Sequence, residues 1–115
     1  MRRVIVVSAL VTLTGVSSMA QAPPVPLFAF VSADAAAAWQ AVNDGVMGGV
    51  SDGRFRITDR QTMEFYGTLS LENNGGFASV RSRPRTLGLQ TGDTLVARVR
   101  GDGREYQLNL YASDR

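Results

Sequence analysis

The 115-residue chain has no cysteine and no histidine, and because all twelve of its basic residues are arginine it has no lysine either. These absences exclude thiol nucleophiles, Ser-His-Asp catalysis, His or Cys zinc sites, Schiff-base lysines and the phosphate-binding lysine of a P-loop. No disulfide can staple the domain, so packing and hydrogen bonding alone must hold it together. Surplus charge is missing as well. Arg2 and Arg3 stand in an N-terminal leader, and beyond them ten arginines face ten acids. A net charge of zero gives a nucleic-acid-binding function no global support. What remains for chemistry is carboxylate work and oxygen-ligand metals, in a chain long enough for one domain.

The leader has the order of a secretory signal peptide. Met1-Arg2-Arg3 is followed by Val4 to Val16, an uncharged apolar run of thirteen residues, and then by Ser17-Ser18-Met19-Ala20-Gln21-Ala22-Pro23-Pro24. Thirteen residues fall well short of the roughly twenty that span a bilayer. The run is continuously apolar, which disfavours the Arg-studded amphipathic helix of a mitochondrial transit peptide. Small residues at −3 and −1 allow cleavage after Ala20 or after Ala22; the first is preferred, because the second would put Pro23 directly after the cut. The expectation is export to the periplasm or medium, a signal peptide over 1–20, and no stable transmembrane segment after cleavage.

The mature chain is organised around Asn43 to Gly53, which holds four glycines in eleven residues with neither helical nor strand period. Such density implies positive φ or a backbone packed too closely for a Cβ, while Asp44, Ser51 and Asp52 supply oxygens for local turns. Before this stretch come a stiff Pro-rich spacer (21–26), an apolar run Leu27–Val31 read as a first strand, and a helical turn or two over Ala35–Trp39 after Ser32 as N-cap. Beyond Gly53 the period becomes two. Phe55 and Ile57 alternate with arginines, and Met63, Phe65, Gly67, Leu69 and Leu71 form one face of the clearest half-buried strand. Glu72–Gly76 reads as a hairpin-type turn and Phe77–Arg81 as the returning strand, stopped by Pro84. Leu95 to Val99 is a further strand. Gly101-Asp102-Gly103 is the tightest hairpin signal, followed by a last strand with Tyr106, Leu108, Leu110 and Ala112 on one face. Regular strands with little helix argue an all-β sandwich or jelly roll. Five or so strands are fewer than a jelly roll uses, so the expectation is a domain (27–115) incomplete at its C-terminus.

No candidate site carries a catalytic signature. Gly45, Gly48 and Gly49 miss the dinucleotide-binding spacing, and a strand follows them where a phosphate would need a helix. Asp44 and Asp52 do not have EF-hand spacing; Asn43, Asp44, Ser51 and Asp52 could hold calcium with backbone carbonyls, but a structural loop with no metal is preferred. Glu64, Glu72 and Glu105 have no spacing that selects an acid/base pair. Arg81, Arg83 and Arg85 read as a solvated strand end. Trp39, the lone tryptophan, reads as a core anchor beneath the glycine loop in preference to a stacking platform.

Trp39, then Val42-Asn43-Asp44-Gly45-Val46-Met47-Gly48-Gly49-Val50-Ser51, then Phe65-Tyr66-Gly67-Thr68-Leu69-Ser70-Leu71-Glu72-Asn73-Asn74-Gly75-Gly76-Phe77-Ala78-Ser79-Val80-Arg81 together resemble the complex I intermediate-associated protein 30 family. The resemblance spans about Phe30 to the end and rests on two long motifs in order. It implies a galactose-binding-like jelly roll and non-catalytic work without a cofactor, since mitochondrial members assist assembly of NADH:ubiquinone oxidoreductase. It implies a protein partner, such as a respiratory-complex subunit or assembly intermediate, contacting Trp39, Asn43, Asp44, Gly45, Met47, Gly48, Gly49 and Ser51, and also Asn73, Asn74, Gly75, Gly76, Phe77 and Arg81. The alternative is an exported carbohydrate-binding module, with Trp39, Tyr66 and Arg81 lining a sugar site.

Overall fold

The computed structural model describes residues 5–12 and 24–112. The two expected cleavage positions lie outside these residues. Seven strands follow in order: β1 (Ile5–Thr12), β2 (Val25–Phe28), β3 (Trp39–Asn43), β4 (Asp52–Ile57), β5 (Met63–Thr68), β6 (Ala78–Ser82) and β7 (Thr94–Arg100). Three short 3-10 turns, Ala33–Ala38, Asp44–Met47 and Glu72–Asn74, are the helical content of the described residues, and no helix among them is long and apolar enough to cross a membrane.

All pairing is antiparallel, in two sheets. In the larger one β1 is central. Along one flank it pairs with β7 from Val6↔Arg100 to Thr12↔Thr94. Its other flank is shared end to end, Ile5–Val7 with β5 and Ala9–Val11 with β2, and β4 follows outside β5. The smaller sheet is β3 with β6, from Trp39↔Ser82 to Asn43↔Ala78. β4 lies against both strands of the smaller sheet, giving the sandwich expected for an all-β chain.

The period-two pattern of β4 and β5 is realised. Phe55 and Ile57 turn half inward while Arg54 and Arg56 are exposed, and Met63 is completely buried. Burial of Met63 contributes on the order of 2 kcal/mol. The hairpin between them closes through Thr58, whose N–H donates to the Thr62 carbonyl at 2.8 Å. Gly53 stands opposite Gly67 in this pair. A Cβ on Gly53 would lie 2.6 Å from both Ala78 Cβ and Asn43 Oδ1, so this is where the two sheets come closest.

Phe30 is the other buried apolar side chain among the described residues. It and Phe28 meet Trp39 with ring centroids 5.9 and 4.8 Å away, and the Arg85 guanidinium caps Phe28 at 4.1 Å. This tilted aromatic cluster fastens the segment before the glycine stretch to the smaller sheet.

Several expectations are corrected. The strand expected over Leu27–Val31 runs over Val25–Phe28 instead, so Val25 and Pro26 of the spacer belong to β2, an outer strand where a missing N–H is tolerated. Trp39 starts β3 instead of ending a helix, and the 3-10 turn before it has no side-chain cap from Ser32. β5 stops at Thr68, leaving Leu69 and Leu71 exposed. The segment Glu72–Gly76 is no hairpin: Asn73 and Asn74 both take positive φ, and the chain passes from one sheet to the other, β6 pairing with β3. Residues 101–112 form no strand and are exposed throughout.

Candidate functional site: an aspartate clasp under the glycine loop

The glycine loop closes over Asp44, not over Trp39. Asp44 opens the second 3-10 turn, and its side chain is fully buried. Its Oδ1 accepts the Ser51 N–H at 2.9 Å. Its Oδ2 accepts the Ser51 hydroxyl at 2.6 Å, the Gly76 N–H at 2.6 Å and the Phe77 N–H at 3.4 Å. The backbone repeats the tie: the Asp44 N–H donates to the Phe77 carbonyl at 3.2 Å, and the Asp44 carbonyl accepts the Gly49 N–H at 2.9 Å. One carboxylate thus joins the two sequence motifs, 43–51 and 73–77.

Ser51 is the second hub. While its hydroxyl donates to Asp44, its oxygen accepts the Ser70 N–H at 2.9 Å, which anchors the strand exit of β5 to the same point. Asn73 adds an outer link, its Nδ2 donating to the Gly48 carbonyl at 3.0 Å. Asn43 Nδ2 donates to the Gly53 carbonyl at 3.0 Å, and its buried Oδ1 has no hydrogen-bond partner.

Two of the glycines, Gly49 and Gly75, are there because Asp44 is. A Cβ on Gly49 would come within 2.7 Å of Asp44 Oδ1, and one on Gly75 would press on the same carboxylate and lie 2.9 Å from the Glu72 carbonyl. Neither position has room for a side chain, whatever its φ.

Four donors around one carboxylate favour its charged form. The Ser51 hydroxyl and then the Gly76 N–H hold Asp44 below the ordinary carboxylate range, against the opposing pull of burial. These contacts commit both oxygens to hydrogen-bond donors. The calcium set considered from sequence is not assembled: Asp52 Oδ1 accepts instead from Arg54 Nε at 2.9 Å on the exposed face. Among the described residues no cluster of three His, Cys, Asp or Glu side chains could hold a metal ion.

The structure brings Asn43, Asp44, Gly45, Met47, Gly48, Gly49, Ser51, Asn73, Asn74, Gly75, Gly76 and Phe77 into one pair of linked turns. Trp39 and Arg81 stand apart from it. Arg81 pairs across the sheet with Gln40, so it lies on the face opposite Trp39, and its Nε donates to Ser79 Oγ at 3.1 Å. Tyr66 sits on the larger sheet with the Arg56 guanidinium 5.8 Å from its ring centroid. Trp39, Tyr66 and Arg81 therefore do not converge on a sugar-sized platform.

Of the apolar side chains around the clasp, sequence reasoning named Met47 and missed Val46, Val50, Leu69 and Leu71. Val46 is 78%, Met47 60% and Leu71 83% exposed, with Val50 and Leu69 also open to solvent. The available signal was their placement in turns, where no strand face could bury them.

Residues 28–115 match the family described as Complex I intermediate-associated protein 30. No curated protein and no solved structure matches the chain.

Proposed function

The chain belongs to the Complex I intermediate-associated protein 30 family, and from that premise we propose that it is a non-catalytic interaction domain that docks a protein partner through the turns Asp44–Met47 and Glu72–Asn74. The family's assembly-factor character makes a respiratory-complex subunit or assembly intermediate the partner class. The proposal includes export: the order of charged, apolar and small residues in the leader supports work in the periplasm or the medium after cleavage behind Ala20.

The observation that carries this reading is the exposure of Val46, Met47 and Leu71 on turns that the Asp44 clasp locks in place. Exposed apolar side chains on mobile loops lose backbone and side-chain entropy when they bind, whereas the same groups on a fixed frame lose only the side-chain part. A rigid rim of aliphatic and thioether groups suits the desolvated centre of a protein interface. Hydrolytic work finds no support in the same place, since its one buried carboxylate is held charged and fully engaged.

The test is co-migration of the full chain with NADH:ubiquinone oxidoreductase subcomplexes on native gels. Met47→Glu with Leu71→Glu should weaken association by about tenfold or more, the loss of one to two interface anchors, at unchanged thermal stability. Wild-type association by the double variant sinks the proposal.

A further inference from the structure

The residues that the sequence reads as the core of an export leader, Ile5–Thr12, are the central strand of the larger sheet. β7 pairs with no strand but β1 among the described elements, and the same holds for β2. Removal of the leader therefore leaves a gap one strand wide, with β7 on one side and β5 and β2 on the other. Any occupant must run antiparallel to all three, as β1 does.

One segment of the chain already meets that requirement. Residues following β7 through a tight reversal run antiparallel to it, hence parallel to the course of β1. The reversal is preformed: Gly101-Asp102-Gly103 follows the last residue of β7, Gly103 has φ +86°, and Asp102 Oδ1 accepts the Arg104 N–H at 3.2 Å. A three-residue loop ending in a left-handed glycine is a standard hairpin connection. It sets Arg104 opposite Arg100, Tyr106 opposite Arg98 and Leu108 opposite Val96. The segment it would deliver is uncharged from Tyr106 to Ala112, alternates in period two, and now lies exposed without strand structure, Leu108 at 75% and Leu110 at 62%. On β7 itself Leu95, Val96 and Val99 are exposed as well.

We infer that the leader is a placeholder strand: its cleavage vacates the β1 position, and residues Arg104–Ala112 fold back on β7 to fill it. The inference rests on the export reading, not on the docking surface. The uncleaved chain keeps its last strand outside the sheet, and the cleaved chain completes the sheet from its own sequence. The exchange breaks and makes only hydrogen bonds. Arg104 to Leu110 take the places of Val6 to Thr12, so β7 and β2 regain their partners and β5 regains those opposite Glu64 and Met63, as buried sheet positions demand.

The experiment uses the full chain with a protease site placed over Ser17–Ala20, followed by hydrogen exchange before and after cutting. Before the cut, amides of 107–112 should exchange freely. After it, those amides should slow by at least about a hundredfold, as in a stable strand, while β7 stays protected and the leader peptide is released. Leu108→Pro sharpens the reading, because a strand with neighbours on both flanks tolerates no proline. It should leave the thermal midpoint of the uncut chain unmoved and abolish the new protection in the cut chain. Persistent fast exchange over 107–112 after release, or loss of β7 protection, overturns the inference. So does a leader that remains bound after the cut. Failure of the export reading is seen separately, as a chain that is missing from the exported fraction and keeps its Met1 terminus, by mass, inside the cell.

Discussion

Ser51→Ala isolates the clasp with one atom. The hydroxyl donates to a carboxylate and accepts from the Ser70 N–H, so its removal has two consequences. A hydrogen bond to a charged group is lost, about 1.5–3 kcal/mol, and a partly buried N–H is left without a partner, about 1–3 kcal/mol. Ser51 and Ser70 are half-buried and water can reach some of the space, so the low ends apply, and the expected destabilisation is about 2–3 kcal/mol. Urea unfolding of the full chain measures it as a fall in midpoint at constant slope. Gly45→Ala is the control, because a Cβ there meets nothing within 4 Å; it should change stability by less than about 0.5 kcal/mol. Effects of Ser51→Ala and Asp44→Asn should be strongly non-additive, since each removes the other's partner. A Ser51→Ala variant within about 0.5 kcal/mol of wild type would refute the view that this hub holds the two motifs together.

Asp44 has a folded-state pKa below its unfolded value, so its contribution is present above about pH 4 and is lost as pH falls through the depressed folded value; an acid titration of thermal midpoint should show a plateau and then a fall. In Ser51→Ala that fall should begin at higher pH, because the largest cause of the depression is gone. Gly67→Ala should prevent native pairing of β4 with β5, since Gly67 has φ +145° and a Cβ there would overlap the Asp52 carbonyl group, its carbon lying 2.8 Å away; circular dichroism would show the loss of strand. Trp39 emission should be blue-shifted by its contacts with Phe28 and Phe30 and stay fixed on titration with oligosaccharides; a saturable shift with one glycan would restore the sugar-binding reading.

Local chemistry was legible where it decided the structure alone. The alternation of Phe55 and Ile57 with Arg54 and Arg56 announced β4, and Pro84 marked the end of β6. The crowding of glycines announced a close backbone approach, and the approach is real. What it approaches was not legible: a large aromatic four residues upstream is the usual candidate, yet the buried partner is the carboxylate of Asp44, satisfied by donors more than thirty residues away in sequence. Glu72–Gly76 looked like a hairpin because Asn-Asn-Gly-Gly accepts positive φ in any tight reversal. Whether the reversal returns to the same sheet or crosses to another is set by the partner strand, here β3, which the segment itself does not encode. Tyr106–Ala112 has strand alternation but no strand, since alternation states a capacity for pairing and not the presence of a neighbour.

The polarity of what is buried bears on the response to heat. Among the described side chains Met63 and Asp44 are fully buried and Phe30 nearly so, so a carboxylate with its hydrogen bonds stands beside apolar packing inside the sandwich. Heat capacity of unfolding rises with apolar surface exposed and falls with polar surface exposed. The Asp44 clasp adds polar groups to what unfolding exposes, so its share of the heat-capacity change opposes that of Met63 and Phe30.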